Sequence, residues 1–144
     1  MRPIRRVFVL CGIVATVCLC MASPRAGAAG LDGSTRMLCV LTSAVECDSR
    51  SGCQATTVED MNMPQFFKID IGKKKMTPVG VAEDVAAAWE TRIKDSQRMD
   101  GKIFLQGIEI RGWSIVISEE TGKLSLTASG DEEAFVLFGA CIPQ

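Results

Sequence analysis

Four cysteines are the residues of this chain whose type and spacing could most readily do chemistry. Cys47 and Cys53 lie six positions apart in the stretch AVECDSRSGCQA, and Cys39 and Cys141 lie on either side of them. Such cysteines can bind a metal, act as a redox switch or form structural disulfides. Zinc sites and thioredoxin-like switches favour Cys-x-x-Cys spacing, which none of the four has, and the chain has no histidine to complete a zinc site. We therefore expect structural disulfides, with no metal and no cofactor.

The first 29 residues predict a cleaved export signal. Arg2, Arg5 and Arg6 form a positive segment, residues 7–22 are apolar and uncharged, and residues 26–28 (AGA) give the small-residue pattern that signal peptidase accepts. A membrane anchor is the alternative, but an apolar stretch of 16 residues is shorter than the ~20 that a bilayer requires. We expect a single mature domain, residues 30–144, that is periplasmic or secreted and has no stable membrane insertion.

The mature domain is mildly acidic. Removing the signal takes away four basic residues and leaves 12 Lys and Arg against 17 Asp and Glu, a formal net charge of −5. A chain with this balance has few cations with which to neutralise phosphates, so nucleic acid is not an expected partner. Three of the seven cysteines also leave with the signal, and the four that remain are an even number in a chain bound for an oxidising compartment.

Four cysteines allow three pairings, which local geometry can rank. Cys47 and Cys53 flank the residues DSRSG, whose types are those of a loop between antiparallel strands. A bridge there closes a hairpin, and Cys39 then pairs with Cys141, which joins the first strand to the last. By loop-closure entropy the long bridge contributes more to stability than the short one.

Short β-type runs separated by turn signals predict an all-β domain. Apolar residues alternate within these runs, as Phe67, Ile69 and Ile71 do, and this places them on one face of a strand. Gly139, beside Cys141, marks a close approach of two backbones or a bulge. We predict an antiparallel meander of about eight short strands, forming a small barrel or sandwich with two disulfides. Seven of the runs read MLCVLTSAVEC, CQATTV, PQFFKIDI, KIFLQGIEI, GWSIVIS, KLSLTAS and EAFVLFGACI.

The segment 81–97 carries conflicting signals. Apolar residues recur every four positions from Val81 to Ile93, as in a helix, whereas Asp100-Gly101 is a strong hairpin signal that favours strands on both sides of it. We expect a short helix or irregular crossover over residues 80–88, followed by a strand over residues 90–98.

Three parts of the chain together resemble a family of small exported proteins of Gram-negative bacteria that has no known activity. They are the early cluster C…VEC…C, the segment LQGIE…GWS and the closing FVLFGAC. The resemblance implies export and a β-rich, disulfide-bonded domain. It implies no catalytic residues.

The chain contains few of the residues and motifs that commonly carry out catalysis. Histidine and tyrosine are absent, and no nucleophile motif occurs, so an enzyme would have to use carboxylates such as Glu59 or Glu119. We therefore expect a non-enzymatic binding module that contacts another envelope protein. The expected contact residues lie in and near a lysine-rich turn: Phe66, Lys73, Lys74 and Lys75. A barrel that binds an apolar ligand is the second hypothesis, and a carboxylate-dependent hydrolase is the third.

Overall fold

The computed structural model describes residues 31, 34–109 and 111–144, so the predicted export signal over residues 1–29 lies outside the described residues. Ten strands and one short helix are found in the described part. The elements are β1 (Arg36–Asp48), β2 (Gly52–Thr56), β3 (Phe66–Asp70), β4 (Lys75–Val79), α1 (Glu83–Trp89), β5 (Thr91–Arg92), β6 (Asp95–Met99), β7 (Lys102–Ile108), β8 (Gly112–Ser118), β9 (Lys123–Ser129) and β10 (Glu133–Pro143).

All ten strands belong to one antiparallel sheet, in which nine follow the order β5-β4-β3-β1-β10-β9-β8-β7-β6 and β2 pairs with β1 off this path. The long strand β1 pairs with β10 along one edge, and along its other edge it pairs first with β3 and then with β2. The sheet is curled into a half-barrel, because only Ile93 and Lys94 separate β5 and β6, the strands at its two ends. The amide of Ile93 donates to the carbonyl of Lys74 (2.9 Å), and the amide of Lys94 donates to that of Gln106 (2.8 Å). The all-β, antiparallel prediction is confirmed.

The core fills the concave side of the sheet. Inward side chains alternate along each strand, as period-two geometry requires, and the stripe predicted on β3 supplies Phe67 and Ile69. On β10 the inward residues are Phe135 and Leu137, whereas Phe138 is 46% exposed on the opposite face. Leu31, just after the predicted cleavage site, is 0% exposed, and its amide donates to the carbonyl of Glu119 at 2.7 Å. Glu119 follows the end of β8, so Leu31 packs at that end of the half-barrel. The buried core residues are Leu31, Met37, Cys39, Leu41, Ala44, Val58, Phe67, Ile69, Met76, Ile93, Ile103, Leu105, Ile115, Ile117, Leu124, Leu126, Phe135, Leu137 and Cys141.

A bulge in β1 changes which of its residues face inward. The pairing with β10 shifts between Leu41 and Ser43, and the buried positions change from odd to even numbers on crossing it. Leu41 lies opposite Gly139, where a Cβ atom would overlap the carbonyl oxygen of Val40. The prediction of a close approach or bulge at Gly139 is confirmed. As a result, Glu46 lies on the concave side of the sheet.

Both predicted disulfides are present. Cys39 and Cys141 lie opposite each other on β1 and β10, are 2% and 4% exposed, and join segments 102 residues apart. Cys47 and Cys53 lie opposite each other on β1 and β2, nearer the surface, and are six residues apart. Two disulfides fit a protein that folds outside the cytoplasm.

The hairpin turn between β1 and β2 is held by Asp48. Its carboxylate accepts the main-chain N–H groups of Arg50 (2.7 Å) and Ser51 (3.1 Å). These hydrogen bonds hold the pKa of Asp48 below its ordinary value of 3.8, because they favour the ionised form, and the hydrogen bond from Arg50 has the larger effect.

The ambiguous segment contains both a helix and strands. Helix α1 begins at Glu83, within the predicted range, but the strand predicted over residues 90–98 is divided into β5 and β6 at Ile93. The predicted turn at Asp100-Gly101 is present, with φ angles of 52° and 69°. Strand β4 was not predicted, and it contains Pro78, a residue that is unfavourable in a central strand. Pro78 is tolerated since β5 pairs only with Lys75 and Met76, which leaves the rest of that edge open.

Helix α1 packs loosely. It has seven residues, none of them buried, and no side chain caps its N-terminus. Glu83 and Asp84 in its first turn interact favourably with the helix dipole, but a helix this short is only marginally stable without tertiary contacts. Within the described residues, no helix is long and apolar enough to cross a membrane.

Candidate functional site

A cavity of about 490 Å³ opens at the end of the half-barrel opposite Leu31. Small-molecule sites in proteins commonly have volumes of ~300–1,000 Å³. The floor is made of buried apolar side chains, whereas several carboxylates at the rim are solvent-exposed, so the cavity opens to solvent on its charged side. It is lined by Glu46, Asp60, Met61, Met63, Phe67, Met76, Ala88, Trp89, Glu90, Thr91, Glu109, Arg111, Trp113, Leu126, Ala128, Phe135 and Leu137.

Strand alternation explains why space remains at this end. Leu124, Leu126 and Ala128 are the inward residues of β9, and the small one comes last. Ala128 lies between Trp113 of β8 and Phe135 of β10 in the pairing of the three strands. A methyl group between two aromatic side chains leaves room that a leucine would fill. The cavity therefore begins where the inward row changes from large residues to a small one.

Methionines line another part of the cavity. Met61 and Met63 come from the connection between β2 and β3, and Met76 comes from β4. Methionine is unbranched and polarisable, so it adapts to irregular apolar shapes. A lining of this kind can adjust to more than one apolar molecule.

Trp113 is fixed on the wall by a glycine and a carboxylate. Gly107 lies opposite it on β7, and a Cβ atom there would overlap the indole ring. The absence of that atom lets the ring lie flat against β7. The indole Nε1–H donates to Glu109 Oε2 at 3.2 Å, which fixes the orientation of the ring. A rigid, partly exposed indole is well suited to stack on a ligand.

Glu109 is the centre of a hydrogen-bond network at the rim. Besides Trp113, it accepts hydrogen bonds from the Thr91 hydroxyl and from the Arg92 main-chain N–H at 3.1 Å. Burial by itself would raise the pKa of Glu109, but these three hydrogen bonds and the charge of Lys94 together hold it below its ordinary value of 4.5. Glu109 is therefore ionised at neutral pH, and it ties β5 to β7 and β8 where the two ends of the sheet meet.

Two ion pairs accompany this network. Arg111 pairs with Glu133, and its guanidinium carbon lies 5.0 Å from the centroid of the Phe135 ring. Lys75 Nζ lies 2.6 Å from Glu90 Oε2, and about two-fifths of each side chain is exposed. Both cations are thus already engaged with carboxylates of this chain.

Glu46 differs from the other carboxylates of the rim. It is half-buried, lies opposite Phe135 in the pairing of β1 with β10, and faces the cavity because of the bulge. No hydrogen bond or ion pair joins its carboxylate to the side chains at 31, 34–109 and 111–144. It is therefore free to accept a contact from a bound molecule.

The structure disperses the contact residues predicted from the sequence. Lys73 and Lys74 lie in the exposed turn after β3, whereas Lys75 begins β4 and pairs with Glu90. Phe66 begins β3, so four residues, or ~13 Å of strand, separate it from that turn. Their role as a partner-binding surface stays a prediction.

The carboxylates considered for catalysis are not gathered in the cavity. Glu59 and Glu119 both lie outside its lining, and Glu119 pairs with Arg98. Among the described residues, no group of three or more His, Cys, Asp or Glu side chains could hold a metal ion.

Sequence reasoning missed the residues that line the cavity. Trp113 lies in the predicted strand GWSIVIS, where an apolar side chain does not indicate a binding site, and Met61, Met63 and Met76 lie in stretches without clear periodicity. One signal was available, since Ala128 interrupts a row of inward leucines. Comparisons with protein-family models, with curated protein sequences and with solved structures found no match to this chain.

Proposed function

We propose that this protein is a small binding protein of the cell envelope that holds a largely apolar molecule in the half-barrel cavity. The observation that carries the proposal is the cavity itself, with its buried apolar floor and its adaptable methionine wall. A domain selected only for stability would fill such a space, because unfilled apolar volume is costly. Envelope location, in the periplasm or after secretion, rests on the predicted export signal and is supported by the two disulfides.

Binding without turnover is the activity best supported by these residues. The lowered pKa of Glu109 keeps that group ionised, so it is poorly suited to donate a proton at neutral pH. The other carboxylates of the rim are either paired with a cation or spread around the opening. The cavity offers shape, apolar contact and fixed charge, and these are the properties of a carrier.

Tryptophan fluorescence can test the proposal directly. The chain has two tryptophans and no tyrosine, and both Trp89 and Trp113 line the cavity. Titrating the mature, oxidised protein with the neutral apolar probe N-phenyl-1-naphthylamine should quench this emission and enhance that of the probe. Ala128→Leu fills the space between the aromatic rings and should abolish both changes. Ala55→Leu, on exposed strand β2, is the matched control and should bind the probe normally.

A folded Ala128→Leu variant that binds the probe as well as the parent protein does would contradict the proposal. Folding is checked by the urea midpoint of each variant. Native mass spectrometry of the protein purified from the envelope gives a second readout, in which a stoichiometric small molecule should be found in the parent and be missing from Ala128→Leu.

Contact with another envelope protein is the second candidate, and an exposed apolar patch favours it. Phe66 (44% exposed), Phe138 (46%) and Ile142 (61%) lie on the convex face of β3 and β10. Val40 connects them, since it pairs with both Phe66 and Ala140. Apolar groups gathered on one outer face are typical of interaction sites.

A photo-cross-linker at position 66 tests the second candidate in living cells. We expect one discrete adduct in the envelope fraction, which Phe138→Asp should abolish. A cross-linker at exposed Gln97 of β6 is the control for random collisions. Equal labelling from both positions would argue against a specific contact.

A further inference from the structure

We infer that the ligand of the cavity carries a positive charge next to its apolar body, and that Glu46 binds this charge. The inference rests on the proposed function and specifies its ligand class as an amphipathic cation, such as an alkylammonium compound. It depends on the charges of the rim, on the free carboxylate of Glu46 and on the aromatic walls.

The charge of the lining is strongly one-sided. Its described residues include four carboxylates, Glu46, Asp60, Glu90 and Glu109, against the single guanidinium of Arg111, a formal charge of −3. Counting Glu133, which pairs with Arg111, and Lys75, which pairs with Glu90, leaves the formal charge at −3. Counting Lys94, whose charge acts on Glu109, brings it to −2, which is still negative. A negative electrostatic potential at the opening of an apolar cavity favours the entry of a positively charged ligand.

The same charges act against an anionic amphiphile such as a fatty acid. Its carboxylate would have to break the Arg111–Glu133 pair and would lie among four carboxylates at the rim. A neutral apolar ligand would gain nothing from the charged groups. Among anionic, neutral and cationic ligands, only the cationic ligand is stabilised by the charged side chains at the rim of the cavity.

Glu46 is the best-placed counter-ion. The carboxylate of Glu109 is occupied by three hydrogen bonds, and that of Asp60 accepts the Thr57 hydroxyl at 2.8 Å. Glu46, in contrast, is half-buried, faces the cavity and has no side-chain partner among the described residues. A carboxylate in this position meets a cation where water competes less than it does on the surface.

Aromatic rings complete a cation site. Phe135 lies opposite Glu46 on the neighbouring strand but already has the guanidinium of Arg111 over one face of its ring, whereas Phe67, Trp89 and Trp113 also line the cavity. The face of an aromatic ring attracts a cation, most strongly when the ring is tryptophan. One ligand can therefore place its cationic end between Glu46 and the rings and its apolar chain on the leucine and methionine floor.

Three probes of equal chain length and different charge test the inference. The mature, oxidised protein is titrated at pH 7 with decylammonium and decanoate, each below its micelle concentration, and with decanol below its solubility limit, and tryptophan fluorescence is followed. We expect decylammonium to bind most tightly and decanoate most weakly, with the preference shrinking as salt is added. Glu46→Gln should weaken decylammonium binding about tenfold, roughly the size of one charge-assisted contact, and leave decanol unchanged.

Glu120→Gln is the matched control, since Glu120 is exposed and lies outside the lining. It should leave all three affinities as they are. If all three probes bind equally well, or decanoate binds best, the inferred charge is wrong while the carrier function stands. If none of the probes binds and N-phenyl-1-naphthylamine also fails, the carrier function itself is wrong. If decylammonium is preferred but Glu46→Gln has no effect, Glu46 is not the counter-ion and the inference fails as stated.

Discussion

Removing the Cys39–Cys141 bridge should destabilise this protein much more than removing the Cys47–Cys53 bridge. The first closes a segment of 102 residues and joins the first strand to the last, whereas the second closes a segment of six within one hairpin. A bridge restricts the unfolded chain more when the segment it closes is longer. The test pairs are Cys39→Ala with Cys141→Ala, and Cys47→Ala with Cys53→Ala. Alanine avoids placing two hydroxyl groups at buried positions.

The loop lengths give the expected magnitudes. In the loop-entropy relation, the long bridge contributes about 4.7 kcal/mol to the free energy of unfolding and the short bridge contributes about 2.2 kcal/mol. Cys39 and Cys141 are also buried, so their replacement loses apolar contacts as well. The difference between the two variants should therefore be at least about 2.5 kcal/mol.

Urea denaturation measures this difference. For a domain of this size it corresponds to a midpoint lower by roughly 1–2 M in the long-bridge variant than in the short-bridge variant. Because a loss of about 5 kcal/mol can approach the whole stability of a small domain, both variants are compared in the presence of sucrose, which favours the folded state. Equal losses, or a greater loss in the short-bridge variant, would refute the reasoning and indicate that residual structure in the unfolded chain governs the effect.

Three further predictions concern the cavity wall, the hairpin turn and processing. Gly107→Ala should lower the free energy of unfolding by about 1–3 kcal/mol and shift the emission of Trp113, because the added methyl group overlaps the indole ring. Gly112→Ala, where a Cβ atom meets nothing within 4 Å, should change neither property. The pKa of Asp48 is held below 3.8 by main-chain N–H groups of the turn that follows it, so its ionised form stabilises the fold at neutral pH, and that stabilisation is lost as the pH falls through the lowered value. Asp48→Asn should therefore lower the urea midpoint at pH 7 more than at pH 3, and an equal loss at both would contradict this. Intact-mass measurement of the exported protein should place its N-terminus at residues 29–30, whereas a full-length mass in the membrane fraction would indicate an anchor.

The two ends of the half-barrel contribute different properties to the protein. One end is closed by Leu31 and large inward side chains, and it supplies stability. The other end contains Ala128, the methionines and the rim carboxylates, and it supplies the space and charge for binding. Helix α1 contributes Ala88 and Trp89 to the opening yet has no buried residue, so it is the lining element most easily displaced when a ligand enters.

Local features could be predicted because they depend on residues close together in the sequence. The alternation of Phe67, Ile69 and Ile71 is enough to indicate a strand with one apolar face. The Asp100-Gly101 turn follows from the positive φ angles that these residues tolerate. The short disulfide follows from turn residues between Cys47 and Cys53. The long one follows because only one pair of cysteines then remains.

The cavity could not be predicted, because it depends on which strands become neighbours and on the register between them. Ala128 creates space only because the sheet places it between Trp113 and Phe135. Glu46 faces the cavity only because a bulge reverses the alternation of β1, and that bulge arises where Gly139 lets two backbones approach closely. The sequence by itself determined most of the strands, the Asp100-Gly101 turn and the short disulfide, since each follows from local conformational preference, and the long disulfide then followed because one pair of cysteines remained. Only the tertiary structure decided where the core ends and the cavity begins, because unfilled space depends on the packing of side chains from distant strands.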